Sequence, residues 1–148
     1  MGGPGAPAHR SDAYDLARFV SAQAPVIDQV RRELAAGVKR SHWMWFVFPQ
    51  LRGLGRSATA QRYGLADLHE ARAYLRHPVL GPRLVDCTGL VNAIDCSSAA
   101  QIFGAPDDLK FHSSMTLFAA TDDAPPCFSQ ALGRFFGNAA DAETMRRL

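Results

Sequence analysis

The stretch Ser41-His42-Trp43-Met44-Trp45-Phe46-Val47-Phe48-Pro49-Gln50 constrains this chain more than any other. It holds both tryptophans and two of the nine phenylalanines. Each buried aromatic ring removes roughly 150–250 Å² from water, so the segment belongs in a hydrophobic core. A bilayer crossing needs about 20 consecutive apolar residues, far more than this run supplies. Lys39 and Arg40 precede it, and Arg52 and Arg56 follow it. An aromatic floor with a cationic rim suits a planar or anionic ligand. A well-packed core with a solvated edge carries the same residues.

A core of this kind is within reach of 148 residues, the usual length of one domain. With 47% apolar and 20% charged residues, the chain is globular rather than disordered. Its net charge of +2 argues against a nucleic-acid binder, which needs a dense basic face. Three cysteines, Cys87, Cys96 and Cys127, have no metal-type spacing. An odd number points to a reducing, cytoplasmic setting rather than a disulfide scaffold. The first ten residues contain no apolar region of the signal-peptide kind. Residues 1–11 are expected to form a flexible tail and residues 12–148 a single all-α domain.

The helical expectation rests on spacing and punctuation. Leu16, Phe19 and Val20 fall at helical intervals, and Pro25 interrupts them. Val26, Ile27, Val30 and Leu34 continue the pattern to Gly37, a plausible terminating glycine. Ser41 is placed to cap a short helix through Phe48, although a buried strand fits the same run. Leu51 to Arg56 reads as a loop, and its glycines resemble a phosphate-binding loop only faintly. Ser57 can cap a helix to Tyr63. Asp67 and Glu70 form a capping-box pattern for a helix ending near His77-Pro78. Leu80 to Ile94, a brief helix after Ser97 or Ser98, Pro106 to Phe118, Pro125 to Phe136 and Asp141 to Leu148 complete the set. The resulting fold class is all-α, a compact bundle of about seven or eight short helices.

Four stretches together resemble a known family. They are Arg40 to Leu51, Arg62-Tyr63-Gly64, His77-Pro78-Val79-Leu80-Gly81-Pro82-Arg83-Leu84, and Ile102-Phe103-Gly104 with Ser113-Ser114-Met115-Thr116-Leu117-Phe118. The pattern is similar to that of the bacterial proteins called domain of unknown function 1810, over roughly residues 13 to 148. The resemblance implies a small all-α fold and no established activity. Members often carry the label calpastatin. A calpain inhibitor of that type is long, repetitive and disordered, whereas this chain is short and apolar. One departure is Phe111-His112, where the pattern has a second leucine and a basic residue.

The candidate ligand-binding residues are His42, Trp43, Trp45, Gln50, Arg52, Arg56, Lys110 and Ser113. Histidine titrates near neutrality, but His42 next to Trp43 is better explained as a half-buried histidine hydrogen-bonded to backbone. Trp43 and Trp45 point about 200° apart on a helix, so one belongs in the core and the other is free to stack. Arg52 and Arg56 carry forks that match carboxylate or phosphate. Lys110 with Ser113 or Ser114 can hold an anion, while a Ser/Lys nucleophile lacks any Gly-x-Ser-x-Gly elbow. No histidine spacing suits a metal, so neither metal nor cofactor is expected. The favoured function is a pocket, binding or enzymatic, for a small anionic ring-bearing ligand such as a nucleotide or an ADP-ribose derivative. The alternative is a non-catalytic protein-interaction module. Nucleic acid is the least supported partner, and no membrane partner is expected.

Overall fold

The computed structural model describes residues 12–148. The tail expected over 1–11 lies outside the described residues. Ten helices follow one another, and no strand forms among the described residues. They are α1 (Ala17–Gln23), α2 (Ile27–Ala36), α3 (Met44–Val47), α4 (Ala58–Tyr63) and α5 (Leu68–Arg76). Then come α6 (Leu80–Asn92), α7 (Ala99–Phe103), α8 (Asp107–Ala119), α9 (Cys127–Phe136) and α10 (Ala142–Arg147). All ten fall on segments that spacing and punctuation mark in the sequence, so the count of seven or eight is low by the short helices α3, α4, α7 and α10, of only four to six residues.

Local chemistry sets most boundaries. Ser57 accepts a hydrogen bond from the Ala60 N–H at 3.0 Å, and Ser98 accepts one from the Gln101 N–H at 3.2 Å. Asp67 likewise accepts from the Glu70 N–H at 3.0 Å. Each satisfies one orphan donor of a first turn. Gly37 ends α2 in the left-handed region at φ 87°, which favours a residue without Cβ.

Ser41 does not cap α3. Its backbone N–H and hydroxyl both donate to Glu33, so the chain enters the helix only at Met44. The helical alternative still holds for the aromatic run, over four residues.

The centre of the fold is α8. Phe111 and Ser113 to Phe118 are all buried, as expected of a helix with apolar surroundings on every side. It packs against α5, α7, α9 and α10, while α6 packs against α2, α5 and α9. One contiguous core runs from Leu16 to Leu132. Phe111, in the position where the sequence departs from the family pattern, stacks on Phe103 at 4.6 Å and meets Phe48 edge-on at 5.2 Å.

A polar clasp joins α1, α3 and α5 inside this core. The Gln23 amide donates to the Phe46 carbonyl at 2.7 Å and to the Tyr74 hydroxyl at 2.9 Å. Burial pushes the Tyr74 hydroxyl well above its ordinary pKa, so it stays a neutral donor. Leu51 and Leu65 form one isolated parallel bridge that closes the loop around α4.

Candidate functional site

A carboxylate on α2 anchors the aromatic run. Glu33 is 3% exposed. Its Oε1 accepts from the backbone N–H of Arg40 at 2.7 Å, from Ser41 N–H at 3.1 Å and from the Trp43 indole N–H at 2.9 Å. Its Oε2 accepts from the Gln29 amide at 2.8 Å and from the Ser41 hydroxyl. Burial by itself would push this carboxyl up. The bonds from Ser41, Arg40, Gln29 and Trp43 outweigh it and hold the pKa down at about 2. Trp43 itself is 1% exposed and packs in the core.

Two lysines and one aspartate tie this cluster to α8. Lys39 Nζ lies 2.8 Å from Asp107 Oδ2 and 5.1 Å from the centre of the Trp43 ring system. Lys110 Nζ lies 3.7 Å from Asp107 Oδ1 and 4.8 Å from the Trp45 ring. Cation–π contact and ion pairing thus act on the same two ammonium groups. Asp107→Ala is expected to cost about 2 kcal/mol in urea unfolding, because it strands the largely buried Lys39 charge. A loss indistinguishable from zero would show that Lys39 is adequately solvated without its partner.

The structure brings three of the candidate residues together. Trp45, Gln50 and Lys110 line one crevice with Phe48, Tyr63 and Gly64. The free space there is only about 10 Å³, room for a single water at most. The other candidates lie apart from it. His42 and Arg56 are exposed. Arg52 is exposed and reaches the Gly64 carbonyl at 3.3 Å. Ser113 is buried and donates to the Leu109 carbonyl at 3.1 Å, with Asp141 Oδ2 at 3.4 Å. That aspartate caps α10 through the Thr144 N–H at 3.0 Å.

A larger groove lies on the outer face of α5, where the sequence reading placed nothing. It encloses about 400 Å³ between Tyr14, the helix and the His77-Pro78 turn. His69, Arg72 and Arg76 share its helical wall, at i, i+3 and i+7. Among the described residues no carboxylate lines it. The Arg72 Nε is buried without a hydrogen-bond partner among the described residues. His77 Nδ1 accepts from the N–H groups of Val79 at 3.1 Å and Leu80 at 3.3 Å, capping α6. In the neutral ring the proton therefore sits on Nε2. Tyr14 is 40% exposed and lines the groove. A side crevice of about 190 Å³ shares His69 and Arg72 with the groove and adds Thr121 and Asp122.

The sequence held a signal for this groove. Arg72 and Arg76 are four apart on one helix with no acid between them on that face, an arrangement that weakens an isolated helix. Among the described residues, no three His, Cys, Asp or Glu side chains gather closely enough to hold a metal ion. No helix among them is long and apolar enough to cross a membrane.

A family model described as protein of unknown function, DUF1810, matches residues 13–148. The chain belongs to this family. The DUF1810 match spans both the Glu33 cluster and the groove on α5. The DUF1810 fold here is similar to the crystal structure at 1.38 Å of the conserved hypothetical protein Rv1873 from Mycobacterium tuberculosis. The two are 58% identical, with a TM-score of 0.91 over 93% of this chain and 98% of the other. No curated protein matches the chain.

Proposed function

We propose that this protein binds a small anionic ligand bearing a ring, of nucleotide type, in the groove beside α5. The observation that carries the reading is the pair Arg72 and Arg76 on one wall of the groove, with no carboxylate among the described residues that line it. A phosphate or carboxylate oxygen supplies such guanidinium forks with charge-assisted bonds. The His77 Nε2–H adds a further donor at the same wall. Tyr14 offers a face for a ring, and such stacking is worth about 1–3 kcal/mol. A volume of about 400 Å³ is that of a small-ligand site. The reading moves the anion site away from Trp45 and Lys110, whose crevice is already filled by their own packing.

A thermal-shift screen against nucleotides, ADP-ribose derivatives and simple phosphates tests it. A ligand present at 100 times its Kd stabilises the fold by about 2.7 kcal/mol. The shift is expected in the wild type and in Lys110→Ala, and is expected to vanish in Arg72→Ala. A shift lost in Lys110→Ala and kept in Arg72→Ala would return the site to the aromatic crevice. No shift in the wild type across the whole panel would refute ligand binding of this class.

A further inference from the structure

We infer that the ligand of this groove carries two phosphate groups, one for each of two neighbouring crevices, as in a nucleoside 3′,5′-bisphosphate, whose phosphates diverge from one sugar beside the base. The inference rests on the groove proposed above and extends it across Tyr14. A second crevice, of about 480 Å³, shares that residue. Tyr14 lines both, so the two are neighbours with one partly exposed aromatic residue in common.

Each side has its own pair of arginines. Arg72 and Arg76 stand in the first groove, and Arg52 and Arg62 in the second. Arg18 also lines the second crevice but is fully engaged. Its five N–H donors reach the Tyr14, Asp15, Arg62 and Gly64 carbonyls and Glu70 Oε2, between 2.6 and 3.3 Å. It fixes the floor, holds Tyr14 in place through that residue's own carbonyl, and cancels the charge of Glu70. What remains in the second crevice is Arg52 and Arg62 against Asp15, a net single positive charge. The chemistry that matches this arrangement is a base against Tyr14 and two anions diverging from one sugar. Planar forks on both sides favour phosphates, which each accept two parallel bonds.

Isothermal titration with adenosine 3′,5′-bisphosphate, the 5′-monophosphate and the 3′-monophosphate reads the spacing directly. The bisphosphate is expected to bind at least about tenfold more tightly than either monophosphate, the yield of one added charge-assisted contact. The exposed pair Arg52→Ala/Arg62→Ala is expected to reduce the bisphosphate to monophosphate affinity and to leave 5′-monophosphate binding unchanged. Arg72→Ala is expected to weaken the bisphosphate and the 5′-monophosphate and to leave 3′-monophosphate binding unchanged. If the bisphosphate keeps its full affinity in the double variant, the two-sided ligand is refuted while the groove itself stands. If no nucleotide binds the wild type, both readings fail together. A trinucleotide that binds more tightly than the bisphosphate, with steep salt dependence, would overturn the small-ligand form in favour of a single strand. The melting temperature of each unliganded variant checks that the fold is intact.

Discussion

Replacing Glu33 by alanine is expected to destabilise the protein by about 3–5 kcal/mol, measured as a lower urea midpoint. The carboxylate accepts from five donors within a 3% exposed setting. Removing it leaves the Arg40 and Ser41 N–H groups and the Trp43 indole without their acceptor, and each such loss costs roughly 1–3 kcal/mol. Glu33→Gln is expected to be nearly as damaging, because its NH₂ would face donors where the carboxylate accepts. Trp43→Phe keeps the ring and loses one bond, so its cost is expected to be smaller, about 1–2 kcal/mol. The same group sets the acid limb of the stability curve. Its pKa in the folded state is about 2 against an ordinary value of 4.5. A depressed carboxyl contributes its full stabilisation above the unfolded value and loses it as pH falls through the folded one. The window is therefore pH 4.5 down to about 2, and the contribution lost there is about 3 kcal/mol. In Glu33→Gln that part of the pH dependence should be absent. A stability loss below about 1 kcal/mol in Glu33→Ala would show that the loop from Val38 to Trp43 is held by packing instead.

Gly81→Ala is expected to lower stability by about 2–3 kcal/mol or more, although alanine is the better helix former. Gly81 lies in the first turn of α6, where propensity alone would favour alanine by up to about 1 kcal/mol. A Cβ there would sit 2.0 Å from the Leu75 carbonyl oxygen and 2.9 Å from its carbon. Those are backbone atoms of α5, so no side chain can rotate away. Relief requires α5 and α6 to separate, and their junction at His77-Pro78 forms one wall of the groove on α5. The substitution should therefore weaken ligand binding as well as folding. A gain in melting temperature would mean that the junction yields easily, and would contradict the tight contact. Gly89, in the middle of the same helix, is the control: a Cβ there meets nothing within 4 Å. Gly89→Ala is expected to be neutral or stabilising by up to about 1 kcal/mol.

The sequence reading and the structure agree where the physics is local. Ser57, Asp67 and Ser98 cap helices because each bond spans only three residues. The reading misplaced Ser41 for the opposite reason. Its hydroxyl has a competing acceptor in Glu33, eight residues back and on another helix. Glu33 itself looks like one more charge on the outer face of α2, and only the fold turns it inward. Lys110 and Trp45, both candidate ligand contacts in the sequence, meet each other at 4.8 Å. Their contact fills the space between them, which spacing along the chain does not reveal.

The helical class, most of the helix ends and the core position of the aromatic run are legible in the sequence. Those follow from hydrophobic period, capping residues and the area of the rings, all set within a few positions of one another. It also carried the like-charged pair Arg72 and Arg76, which is legible as a conflict with helix stability. Only the tertiary structure decided that α8 is the central helix and that Glu33 holds the loop before Trp43. It alone brings Tyr14, α5 and the His77 turn around one groove. Those outcomes depend on contacts between residues tens of positions apart, and no local propensity encodes which distant side chain fills a gap and which leaves one open.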